Sequence, residues 1–459
     1  MSSHAMMGDF ARFHLPPEHP LADLLEAHRP ALIAGAMFPD GGYFTGLAIA
    51  EHRDLAETAH WDTYVNHLTA IAHERGCAQL GDDPWDSLPV LGGTVDWLMN
   101  ELGRELVPLP SLRAYDIDPP ALQISDSCGY LVAFTMGVAA HGMGDEVWDA
   151  LFEPTVYQRG EMEGTGPHTI LDTIPPGADP SVGEMLRSVL GDTAFDALES
   201  GFSAINGVEY AMDVIAIRDQ WIWEEIPLLV FPPTQTLLEA YRRSGREFSQ
   251  FDVEMAAAGT RLLVTAERLA SAADYTRVRQ QMPYAVSNYL TGSGGIHDAA
   301  KYIAGYYEHL WSRIQDGPNE AMPPFVTAVH PRPGERNVPW KVCDTGDNPF
   351  AVCQDAAAPE ADRYIYVGLS ASMGSRFEEL DTPFAVFDES GQELEVEYQQ
   401  LPPWASPLSA HGFRIKLKNQ ELKPKHRYTV VVTTQLYDRR GPETGRMEQP
   451  MIWHFTTAD

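Results

Sequence analysis

Residues 128–152 read CGYLVAFTMGVAAHGMGDEVWDALF. Apolar side chains recur through this stretch at the three- and four-residue intervals of an α-helix. In such a helix His141 and Asp145, at i and i+4, project from one face and can grip a single cation. Similar 3.6-residue patterns run from Thr58 to Glu74, Phe248 to Leu290 and Ile296 to Ile314, between Pro- and Gly-rich connections. Residues from about Leu21 to Arg313 are therefore expected to form a helical domain. Gly137, Gly142 and Gly144 each cost the central helix ~1 kcal/mol relative to alanine, which makes sense if its backbone must approach something closely.

The character changes at Asn319-Glu-Ala-Met-Pro-Pro-Phe325, where two prolines forbid a continuing helix and bias the chain toward extended forms. A boundary near Pro323 divides the chain into a helical unit, 1–322, and an all-β unit, 323–459. Tyr364-Ile-Tyr-Val-Gly-Leu, Pro383-Phe-Ala-Val-Phe, Phe413-Arg-Ile-Lys-Leu, Tyr428-Thr-Val-Val-Val and Ile452-Trp-His-Phe-Thr-Thr read as strands of a small sandwich. With the Pro-rich start, Ser370-Ala-Ser-Met373, Leu422-Lys-Pro-Lys-His-Arg-Tyr-Thr-Val430 and the terminal Trp-His-Phe-Thr-Thr, this unit resembles bacterial Ig-like domains over nearly all of residues 325 to 457.

The 459 residues carry 65 acidic and 32 basic side chains, a formal net charge of −33. Recognition of nucleic acid, or of an anionic membrane by a surface helix, needs a Lys/Arg surplus, so both are excluded for the surface at large. Cys77, Cys128, Cys343 and Cys353 show no CxxC or zinc-finger spacing, which leaves any metal to His, Asp and Glu. Cys343 and Cys353 are close enough in sequence to be bridged in an exported protein, and free thiols fit equally well. No window is apolar enough to span a bilayer, so no integral membrane segment is expected. The opening MSSHAMMGDF lacks a basic segment followed by an apolar one. The protein would be extracytoplasmic or secreted if a signal has been removed, and cytoplasmic otherwise.

A second His-x-x-x-Asp spacing, His168 and Asp172, follows Pro167, which suits a first helical turn. Asp40 lies in Ala34-Gly-Ala-Met-Phe-Pro-Asp-Gly-Gly-Tyr43, read as a turn after an apolar helix, and Glu57-Thr-Ala-His-Trp-Asp-Thr-Tyr-Val-Asn66 offers His60. Each element alone has an ordinary explanation: a surface ion pair, a hydrogen-bonded core histidine or a turn aspartate. The apolar flanks of His141 argue against a solvated pair, because a buried polar group needs a partner and a metal is one. No Ser-His-Asp grouping with an elbow motif is present. Gly292-Ser-Gly-Gly-Ile-His297-Asp298 lacks a phosphate-loop Lys and reads as a helix–helix turn. The Trp221-Ile-Trp-Glu-Glu run suits core packing or a pocket wall, and Asp126 and Glu161–Glu163 suit solvated surface, with Glu161 a minor metal candidate.

Taken together, the words at 34–43, 57–66 and Met136-Gly-Val-Ala-Ala-His-Gly-Met-Gly-Asp-Glu-Val-Trp148 resemble the zinc-dependent phospholipase C family. The N-terminal catalytic domain of glycosylphosphatidylinositol-specific phospholipase D is similar, and fungal single-strand nucleases share the fold. Specific words cover roughly residues 20 to 175, and general helical character reaches about residue 315. The resemblance implies a mostly α-helical phospholipase C/nuclease-like domain around two to three zinc ions. Asp40, His60, His141 and Asp145 would hold the central metals, with Asp145 bridging and Asp40 orienting or deprotonating the attacking water. His168 and Asp172 would serve another zinc.

There are departures from that pattern. A histidine common in the family beyond the bridging aspartate is replaced here by Asp149, whose oxygen gives a harder, less zinc-selective site. Some members use the mature N-terminal amine and an early histidine. Met1 is not assignable to that task, and His14, His19 and His28 are the early histidines considered. The expected activity is metal-dependent hydrolysis of a small-molecule or lipid phosphoester, most directly a phospholipid-type phosphodiester. The alternatives are the same scaffold repurposed for a non-lipid substrate, or a degenerate, non-catalytic binding or adhesion protein.

Overall fold

The computed structural model describes residues 1–46, 49–79, 121–158, 207–220, 228–343, 360–373, 382–401 and 411–459. The first described helices are α1 (Ser2–Ala11), α2 (Pro20–Ala27), α3 (Arg29–Thr45), α4 (Glu51–His60) and α5 (Asp62–Glu74). After strand β1 (Ala121–Ile124) come α6 (Cys128–Val147), a π-helical turn (Trp148–Phe152), α7 (Glu153–Gln158) and α8 (Gly207–Gln220). Strand β2 (Leu228–Phe231) then precedes α9 (Thr234–Arg243), α10 (Gln250–Gln281), α11 (Pro283–Asn288) and α12 (Ile296–Asp316).

Local chemistry sets several of these boundaries. Pro20 opens α2, where its missing N–H is not needed. Ser249 and Asp252 form a reciprocal capping box on α10. Gly317, at φ 91°, ends α12 in a conformation that side chains disfavour. The segment expected as one helix from Thr58 is two, because Trp61 is extended (φ −102°, ψ 153°) and leaves His60 at the end of α4. The Pro-Asp-Gly-Gly word is not a turn either: Asp40 lies inside α3, which continues through Pro39 to Thr45.

Helix α6 is buried on nearly every side, as its uniformly apolar sequence requires. Added Cβ atoms on Gly35 of α3 and Gly137 of α6 would each lie 2.1 Å from a carbonyl oxygen of the other helix, Phe134 O and Leu32 O. The two backbones therefore touch. β1 and β2 form a short parallel pair beside these helices.

Beyond residue 325 the described chain is strands. β3 (Val326–His330), β6 (Ile365–Leu369), β10 (Gly412–Leu417) and β9 (Val396–Leu401) make one antiparallel sheet in the order β3-β6-β10-β9. β12 (Met451–Thr456), β11 (Arg427–Val432), β7 (Phe384–Phe387) and β8 (Glu393–Leu394) make a second, in that order. β4 (Lys341–Cys343) pairs with β5 (Glu360–Asp362) apart from them. The two larger sheets share one apolar cluster, in which Val367, Phe413 and Ile415 meet Val386, Val430 and Trp453. Alternating burial along β11 and β12 follows the period-two pattern of their sequences. The helical part has its own cluster, and Tyr366 of β6 belongs to it. Among the described residues no helix is long and apolar enough to cross a membrane.

A disulfide joins Cys77, just past α5, to Cys128, the first residue of α6. Nothing in the cysteine spacing announced this pair. Cys353 and the side chain of Cys343 lie outside the described residues. The bridge closes a loop of sequence separation 51, so removing it should destabilise the protein by about 2–4 kcal/mol. Urea titration of the Cys77→Ser/Cys128→Ser variant is expected to show a lower midpoint than the wild-type chain, and a midpoint equal to that of the wild type would contradict it.

Candidate metal centre

Side chains from three helices meet around His141: Asp145 from its own helix α6, Asp40 from α3 and His60 from the end of α4. His60 and His141 donate Nδ1–H to the carbonyls of Ala56 (2.8 Å) and Ala36 (2.7 Å). A carbonyl can only accept, so in each neutral ring the proton sits on Nδ1 and Nε2 carries a lone pair. The two Nε2 atoms face each other at 3.0 Å. Asp40 Oδ1 lies 3.6 Å from His60 Nε2 and 3.7 Å from His141 Nε2. Asp145 Oδ2 lies 3.9 and 3.6 Å from the same two atoms.

Two acceptors pressed together need a cation or a shared proton between them. Burial lowers the His60 pKa, but the nearby Asp40 carboxylate and the charge of Asp145 outweigh burial and raise it to about 9. Burial, the largest effect, lowers His141 to about 3. Two imidazole nitrogens with their second nitrogens anchored, plus two carboxylates, form a donor set that could hold a metal ion.

The histidine missed in the sequence is His4. On the buried helix α1 it reaches Asp145, with Nε2 2.6 Å from Oδ1 in a contact not aligned as a hydrogen bond, and its Nδ1 has no partner among the described residues. His4, His141 and Asp145 form one trio with ligand atoms within 4.8 Å of each other, and Asp40, His60 and His141 form another. His141 is common to both trios. The polar start of α1 is buried because partners await it: Ser3 donates to Asp213 of α8 through N (2.8 Å) and Oγ (2.6 Å), and Ser2 Oγ donates to Glu267 of α10 (2.6 Å). The Met1 amine lies 2.9 Å from Asp213, 3.4 Å from Glu267 and 3.8 Å from Asp40.

The other early histidines lie elsewhere. His14 packs edge-on against His297, His19 accepts the Leu21 N–H at the start of α2, and His28 packs edge-to-face against Tyr130. Asp149 is in the π-helical turn, half-buried and outside both trios. Burial, then the charges of Glu153, Asp145 and Glu146, holds its carboxyl well above its ordinary value. Burial, followed by Glu153, Asp145, Asp40 and Asp149, does the same to Glu209. The centre is therefore rich in carboxylates for the positive charge available, a further invitation to a cation. His168, Asp172, Trp221 and Glu161–Glu163 lie outside the described residues. Asp298 accepts the Gly294 N–H at 3.1 Å near the start of α12, in keeping with a helix–helix turn, and exposed Asp126 pairs with Arg75.

A Cβ on Gly142 would lie 2.2 Å from the His60 carbonyl oxygen. The absence of a side chain there lets α4 deliver His60 to His141. Gly142→Ala should force the two histidines apart, lowering both bound zinc per chain and thermal stability. Elemental analysis with a melting curve checks this, and a variant with wild-type metal content would show that the contact does not set the ligand spacing.

The sequence matches no family model and no curated protein. Solved structures that align with it include surface layer protein SbsC, domains 1–6, at 13% identity over 67% of this chain. The alignment spans 46% of that longer chain, with a TM-score of 0.19. The N-terminal part of the bacterial S-layer protein SbsC aligns at 13% identity over 69% of this chain and 79% of that one, again with a TM-score of 0.19. Scores this low do not amount to a shared fold.

Proposed function

We propose that this protein is a zinc-dependent hydrolase of the phospholipase C type, cleaving a phosphoester, most directly a phospholipid-type phosphodiester, with an Ig-like sandwich following the catalytic helices. The observation that carries this reading is the pair of facing Nε2 atoms, 3.0 Å apart, flanked by Asp40 and Asp145. His60, His141, Asp40 and Asp145 would hold the metal, with His4 at the adjoining position. Zinc bound there supplies Lewis acidity toward a phosphoryl oxygen and toward water.

The protein's own groups do the rest. The Ala56 and Ala36 carbonyls fix the ring orientations. Asp40, about a quarter exposed, is placed to orient or deprotonate an attacking water, and Asp145, equally open, contacts His4 on one oxygen and faces the two other histidines with the second. Tyr43, exposed with its ring 5.1 Å from that of His60, stands at the rim where a substrate would enter. The carboxylates of Asp149, Glu153 and Glu209 favour a second reading, in which an accompanying ion is harder than zinc and the substrate is not a lipid.

Elemental analysis of the purified chain combined with assay on a chromogenic phosphocholine diester separates these. Two or three zinc ions with turnover support the phosphodiesterase. Metal without turnover points to the repurposed scaffold, and a metal-free chain removes both. Asp145→Asn is expected to abolish metal-dependent turnover while the helical circular-dichroism signal survives; an active variant would remove Asp145 from the site.

A further inference from the structure

Asp62 follows His60 by two residues and Glu146 follows Asp145 by one, and both carboxylates are buried and turned away from the candidate metal centre toward the strand region. Asp62 receives the Tyr306 hydroxyl of α12 at 2.6 Å. Asn66 of its own helix donates to Oδ2, and three further partners come from the strand region: the Ser372 hydroxyl donates to Oδ2, Arg439 forms an ion pair with Oδ2 at 3.1 Å, and His411 Nε2 approaches Oδ1 at 3.4 Å. The same His411 donates its main-chain N–H to the Glu146 carboxylate, 3.3 and 3.4 Å from its two oxygens. His411 thus touches the neighbours of two candidate ligands that lie far apart in sequence.

We infer that the strand region is a working part of the metal centre: by gripping Asp62 and Glu146 it positions His60 and Asp145, so that metal binding and docking of the strands on the helices are thermodynamically coupled. This rests on the proposed metal site. His60 closes α4, with its ring oriented by the Ala56 carbonyl; because Trp61 is extended, α4 and α5 are not one rod, and the anchoring of Asp62 on one side and the contact at Gly142 on the other set where that end of α4 sits. Glu146 is one residue round α6 from Asp145, so a pull on it rotates the bearing of the ligand next to it. Such outer partners orient metal ligands, and losing them typically weakens metal binding by about 10- to 100-fold. Coupling is reciprocal, so metal must also tighten the strand contacts. Ser372, His411 and Arg439 are positioning residues in this scheme, since none reaches the metal ligands themselves.

The test uses the full chain. Zinc affinity is measured by chelator competition, and ligand geometry is read from the visible absorption of the cobalt-loaded protein. Ser372→Ala/Arg439→Ala is expected to weaken zinc binding about 10- to 100-fold and to alter the cobalt spectrum while far-ultraviolet circular dichroism is kept. Arg439→Lys, which retains the charge opposite Asp62, should stay near wild type. In the wild-type chain, zinc should slow hydrogen exchange at the His411 amide. Unchanged affinity and spectrum in the double variant, even with a lower melting temperature, would reduce the contacts to ordinary packing. Should that variant fail to fold, the exchange experiment decides, and zinc-independent protection at His411 overturns the coupling. A wild-type chain that takes up neither zinc nor cobalt removes the metal reading and this one together, whereas normal uptake with indifferent variants removes only this one.

Discussion

The centre depends on how closely three helices approach one another. A typical helix pair keeps its axes 8–10 Å apart because side chains intervene. Here Gly35 and Gly137 let α3 and α6 come into backbone contact, and Gly142 does the same for α6 and the last turn of α4. Only at that separation do short side chains such as Asp40 and Asp145 meet two imidazoles in one place. The helix propensity given up at these glycines is therefore converted into ligand geometry, and the strongly apolar surroundings of α6 supply the burial that holds the helices together.

Much of this was legible in the chain. The His141/Asp145 spacing on an apolar helix, and the strand runs after Pro323, correspond to elements found at nearly the same residues. His60 and Asp40 had ordinary explanations when read singly; the resemblance of their words grouped them with His141, and tertiary packing brings them beside it. The Asp40 word misled because Pro-Asp-Gly-Gly has turn chemistry. Gly41 is instead pressed against α10, where a Cβ would lie 2.2 Å from Thr260 Oγ1 and 2.3 Å from the Ala256 carbonyl, and packing overrides local preference. His4 was hidden because Ser-Ser-His reads as a polar leader, and the carboxylates that receive Ser2 and Ser3, Glu267 and Asp213, lie more than 200 residues away. The one available hint was the run of small and flexible apolar residues behind it, Ala5, Met6, Met7 and Gly8, of a kind that packs tightly.

The acidic excess of the chain takes on a second meaning inside the fold. A surface charge of one sign repels polyanions, but the carboxylates of Asp40, Asp145, Asp149, Glu209, Asp213 and Glu267 are gathered around α1 and α6, where water cannot screen them well. Divalent cations there would reverse the local sign without changing the exterior, so attraction for a phosphoryl group would be confined to one mouth of the protein. The strand region shares in this economy, since Arg439 and His411 offer positive or polar partners to a buried carboxylate that the helices alone leave to Tyr306 and Asn66.

The bridge between Cys77 and Cys128 ties the far end of the helix that follows His60 to the near end of the helix that carries His141 and Asp145. With those ends locked, the two helices cannot separate at that point. Any shift of one helix against the other must therefore pivot about the two sulfur atoms, which lie at the ends of the two helices away from His60 and His141.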